Sequence, residues 1–62
     1  MISKGQKWQH KQNKATYTII EIANDRAADV DKFPSILIYK DSDNGVWARP
    51  RKDFLEKFNR VK

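Results

Sequence analysis

No cysteine occurs in this 62-residue chain, and at that length the absence limits what it can become. A domain of this size buries only about 60% of the surface that its unfolded chain exposes, and chains this short often need disulfides or metals to hold together. Without thiols, disulfide staples and thiolate metal ligands are excluded. Apolar burial must then carry the fold. Trp8, Trp47, Tyr17, Tyr39, Phe54 and Phe58 are the side chains large enough to supply it.

Strand signals dominate. Lys7–Lys11 is a short, weakly patterned strand, and Gln12-Asn13-Lys14 is turn-rich. Thr16–Ala23 is dense in β-branched and aromatic residues and reads as a strand. Asn24–Phe33 is polar and acidic, reads as a loop with a helical turn at Arg26–Ala28, and is closed by Pro34. Ser35–Lys40 and Val46–Arg49 flank Asp41-Ser42-Asp43-Asn44-Gly45 as an antiparallel hairpin, because Asn-Gly readily adopts positive φ. Pro50 ends that strand and suits the first turn of a helix. From Arg51 to Val61, Phe54, Leu55, Phe58 and Val61 fall on one helical face, with the pairs Asp53/Lys57 and Glu56/Arg60 on the other. The sum is a single mainly β domain over residues 1–62: an SH3-like barrel of four to five antiparallel strands with a short C-terminal helix. The alternative is an open α+β antiparallel sheet with one helix.

The order Gly5…Trp8-Gln9-His10-Lys11, Tyr17-Thr18-Ile19-Ile20-Glu21-Ile22-Ala23, Ile38-Tyr39-Lys40 and Val46-Trp47-Ala48-Arg49-Pro50…Phe54-Leu55-Glu56 resembles a family of short bacterial and phage proteins of unknown function. That family's pattern is an opening Gly-x-Tyr-x-His-Tyr-Lys-Gly, a Tyr-x-Val strand ending in Ala, a Val-Val-Tyr-Arg strand, and a closing Trp-Val-Arg-Pro…Phe. The likeness spans residues 5–58. Trp8 stands where the family has Tyr, Gln12-Asn13 replaces its turn residues, and the loop from Asn24 to Pro34 is differently composed. The resemblance implies an SH3-like β fold and no particular activity.

Catalytic and metal-binding chemistry find no foothold. His10, the sole histidine, has no neighbouring nucleophile or orienting carboxylate, and a packing or hydrogen-bonding role at a strand edge suits it better. The run from Asp41 fails as a calcium loop, since Gly45 is fifth rather than sixth and Lys52 occupies the twelfth place. Asp25, Asp29 and Asp31 read as a solvated loop. Gly5 and Gly45 cannot form a phosphate cradle. We therefore expect no catalytic residue, no metal site and no cofactor.

Charge says more. Net charge is +5, with +4 over residues 1–14, −2 over 15–34, −1 over 35–48 and +4 over 49–62. If the two basic ends meet, they form one positive face. The leading expectation is a non-enzymatic binding module that contacts nucleic-acid phosphates through Lys4, Lys7, Lys11, Lys14, Arg49, Arg51, Lys52 and Arg60, with Trp8 as a stacking residue. Trp47 and Tyr39 are expected in the core, while the polar flanks of Trp8 leave its place open. Arg49 reads either as a buried salt bridge to a loop aspartate or as a ligand contact. The alternative function is a protein-protein interaction module, a phage or prophage accessory protein acting on a host factor. With no long apolar run at the N-terminus or elsewhere, the expected setting is cytoplasmic and off the membrane, as a monomer or weak dimer.

Overall fold

The computed structural model describes residues 2–61. Its elements are β1 (Lys7–His10), β2 (Thr16–Ala23), β3 (Ile36–Lys40), β4 (Val46–Pro50), α1 (Arg51–Lys57) and β5 (Phe58–Val61). The strands form one antiparallel sheet in the order β4-β3-β2-β1-β5. The chain is thus mainly β with one short helix. The sheet does not close into a barrel. Its edge strands β4 and β5 do not pair; they are joined by α1, which packs against β3, β4 and β5. This is the open sheet with a helix, not the closed SH3-like barrel favoured by the sequence.

β2 has few side chains suited to anything but a pleated sheet, and a bulge adapts it. Ile19 pairs with Tyr39 and Glu21 with Ile38, leaving Ile20 as the extra residue. Strict alternation would send Ile19 and Ile22 to opposite faces. The inserted residue brings both to the inner face, where Ile19 is buried and Ile22 packs against the core.

That core consists of Ile2, Trp8, Ile19, Leu37, Tyr39, Phe54 and Phe58. Phe54 and Phe58 stack with centroids 4.1 Å apart at 7°. Trp8 meets the Phe54 ring edge-on at 5.3 Å, and Tyr39 packs against both phenylalanines at 5.2 and 5.3 Å. The i,i+4 spacing of Phe54 and Phe58 is what the helical pattern detected. The helix nevertheless ends at Lys57, because Phe58 is extended (φ −126°, ψ 148°) and opens β5. Pairing with β1 takes the last residues: His10 faces Phe58, Gln9 faces Asn59, Trp8 faces Arg60 and Lys7 faces Val61. Leu55 and Val61, expected on the buried face of a longer helix, are exposed.

The β3–β4 hairpin turns as expected but by other means. Asn44 alone of the Asn-Gly pair has positive φ, at 65°. Gly45 is required by space: a Cβ there would lie 2.6 Å from the Asp41 carboxylate. In the Asn24–Phe33 loop, a turn closed by Ala27 N–H donating to the Asn24 carbonyl stands in place of the helical turn. Among the described residues no helix is long and apolar enough to cross a membrane.

Candidate functional site

β1 and the turn after it present three lysines on a tightly held backbone. His10 Nδ1 accepts from the Gln12 and Asn13 N–H groups at 3.1 and 3.3 Å, and its ring meets Phe58 edge-on at 4.9 Å. The Lys14 N–H donates to the His10 carbonyl (2.9 Å), and the Ala15 N–H to Asn13 Oδ1 (2.8 Å). Lys14 itself takes a left-handed φ of 64°. The Lys11 N–H donates to the Lys57 carbonyl at 2.9 Å, which ties this turn to the end of α1. The basic start and the basic finish of the chain therefore lie side by side, joined by the β1–β5 ladder and this bond.

The nine residues expected at a ligand face do not form one group. Lys7, Lys11, Lys14, Lys52 and Arg60 are exposed and have no acidic partner among the described residues. Lys7, Lys11 and Lys14 follow one another along β1 and its turn, and Arg60 sits on β5 opposite Trp8. Lys52 lies elsewhere, with Arg51, beside a cleft of about 500 Å³ whose wall includes Val30, Pro34 and Pro50. Three more cations are already engaged. Lys4 pairs with Glu21 at 3.3 Å, Arg51 approaches Asp25 at 3.8 Å, and Arg49 binds Asp53 at 2.6 Å.

Trp47, expected in the core, is exposed, and Trp8, whose place the sequence left open, is buried. Trp8 is 8% exposed, walled in by Phe54, and offers no face on which a base could stack. It lies on the central side of β1, where its polar neighbours Lys7 and Gln9 point to the opposite face of the sheet. Trp47 is 54% exposed, because it belongs to edge strand β4. Its indole N–H donates to Asp41 Oδ2 at 2.9 Å. That bond and the Gly45 and Asp43 N–H groups on Oδ1 hold the Asp41 carboxyl below the usual aspartate range.

Arg49 bridges the sheet and the helix. Its Nε donates to the Tyr39 hydroxyl at 3.1 Å while Nη1 reaches Asp53, so its partner is a helix aspartate and not a loop one. The Asp53 bond raises the Arg49 guanidinium above its ordinary value, and burial raises the Tyr39 hydroxyl.

Sequence reasoning missed Lys40, grouping it with the mildly acidic middle of the chain. Register places it in one row with Val61, Lys7, Thr18 and Val46, on the face opposite the core. Its position at the end of a strand flanked by a turn was readable; its distance from Lys7 depended on strand order.

No family model matches the chain, and no curated protein or solved structure does. The site must be judged on its own chemistry.

Proposed function

We propose that this protein is a non-enzymatic binding module that contacts nucleic-acid phosphates through Lys7, Lys11 and Lys14 of β1 and its turn, with Arg60 on the neighbouring strand. One observation carries the reading: β1 and β5 are paired, so cations from both basic ends lie on neighbouring strands, Lys7 on the outer face and Arg60 at the sheet edge on the Trp8 side, and these four have no acidic partner among the described residues. Lysines contribute phosphate affinity by releasing condensed counterions and carry little sequence information. With Trp8 in the core, stacking by that residue is not part of the reading. The expected binding is weak, tolerant of sequence and steep in salt. A cytoplasmic location, where nucleic acid is within reach, fits this role.

Titration of labelled single- and double-stranded oligonucleotides at low and moderate salt tests it. Binding at low salt that fades at moderate salt, and that falls on Lys11→Glu or Lys14→Glu, supports the reading. Flat titrations on both forms reject it.

A second reading, an accessory module that docks on a host protein, draws on β4. The Asp41 N–H donates to the Gly45 carbonyl and the Arg51 N–H to that of Ser35. By antiparallel alternation, Val46 and Ala48 then aim their N–H and C=O groups away from β3, at the free edge. An extended peptide could add there as a further strand, beside the exposed Trp47. On this reading, Ala48→Pro abolishes capture of a partner from nuclease-treated lysate while leaving oligonucleotide binding intact; retained capture rejects strand addition.

A further inference from the structure

On the face away from the core, Lys7 and Lys40 stand on either side of Thr18, one strand apart from it in each direction. The two backbones are therefore about 10 Å apart, twice the spacing of neighbouring strands. A shallow cleft of about 300 Å³ opens between them, lined also by Thr16 and Asn44. Neither lysine has an acidic partner among the described residues. Flexible four-carbon stems let both ammonium groups converge above the Thr18 hydroxyl. Asp41 also lines the cleft, yet three N–H donors, from Asp43, Gly45 and the Trp47 indole, hold its carboxylate. It marks the anion-excluding end and leaves the Lys7–Thr18 end for a ligand.

We infer that this cleft is a phosphate-binding subsite, in which Lys7 and Lys40 clamp one phosphoryl group and Thr18 donates a hydrogen bond to it. Two ammonium groups and a hydroxyl suit a tetrahedral anion with several strong acceptor oxygens. The inference deepens the nucleic-acid reading and rests on it for the source of the phosphate: a backbone phosphodiester of a strand that also passes Lys11 and Lys14. A free phosphate would present the same chemistry.

Amide spectra of the ¹⁵N-labelled protein separate these sources when inorganic phosphate and an unphosphorylated oligothymidylate are titrated at constant ionic strength. The expected result is movement of the Thr18, Lys40 and Asn44 amides with both probes. Lys40→Ala should weaken oligothymidylate binding about three- to fivefold and reduce its salt slope by about 0.7. Thr18→Val, which keeps a β-branched side chain, should weaken binding without unfolding the sheet, and Lys40→Arg should retain it. If oligothymidylate binds but these amides stay still and Lys40→Ala is silent, the subsite is rejected while the wider reading survives. If phosphate moves them and oligothymidylate does not bind, the subsite stands for a free phosphate and the nucleic-acid reading fails. If neither probe moves them and neither binds, both are overturned.

Discussion

Arg49 connects two parts of the molecule through one guanidinium. It ties the hydroxyl of buried Tyr39 to Asp53 on α1, and each bond uses a different nitrogen of the planar fork. A lysine could satisfy one partner but not both. Arg49→Lys should therefore cost about 1 kcal/mol of stability in urea denaturation, with oligonucleotide affinity unchanged. Lost affinity at unchanged stability would return Arg49 to the interface. Asp41 does comparable work in the β3–β4 hairpin, and its lowered carboxyl sets a pH dependence. A group depressed in the folded state contributes stability in full above its unfolded value, about 3.9, and loses it as pH falls through the folded value. The Trp47 indole N–H resonance should thus hold steady at neutral pH and shift with a midpoint below about 3.9; a midpoint at or above that value contradicts the bond. Trp47 and Trp8 also show where single-residue reading fails. Their exposure follows from whether the strand is interior or at the edge, and strand order is a long-range property.

At the scale of elements, α1 and β5 mark the limit of periodicity. Phe54 and Phe58 share a helical face, and both are buried, so the core pair was legible. The change to extended backbone at Phe58 was not, because β1 offers the ladder that draws residues 58–61 away from the helix. Seven residues make a marginal helix on propensity alone, so tertiary pairing decides its end. β2 was plain from its β-branched run, whereas its bulge depends on bringing Ile19 and Ile22 to one side. The helix is held chiefly through Phe54, which is fully buried. Phe54→Ala should cost about 3–5 kcal/mol. Domains of this size have only about 3–9 kcal/mol in total, so the variant should lose about a third or more of its stability, read by circular dichroism as a lower urea midpoint. Exposed Leu55, changed to Ala, should cost no more than about 0.5 kcal/mol. Equal effects from the two would contradict the helix orientation.

For the whole molecule, the charge pattern was the sequence feature that reached furthest. The basic ends do come together, across a ladder between the first and last strands. What the pattern could not give was which cations remain unpaired. Asp53, Asp25 and Glu21 engage Arg49, Arg51 and Lys4, and those contacts depend on the sheet, the loop and the helix meeting. Nor could it show Lys40 crossing into line with Lys7. The proposed interface is narrower than the sum of basic residues: β1 and its turn, one edge position on β5, and the row across the outer face.

The salt dependence of oligothymidylate binding tests this account most directly. Each phosphate neutralised on a single strand contributes about −0.7 to the slope of log K against log salt. Contacts by Lys7, Lys11, Lys14, Lys40 and Arg60 predict a slope of about −2 to −3.5, reduced by about 1.4 in the Lys11→Ala, Lys14→Ala double variant. A slope near zero, or one the double variant leaves unchanged, would contradict it.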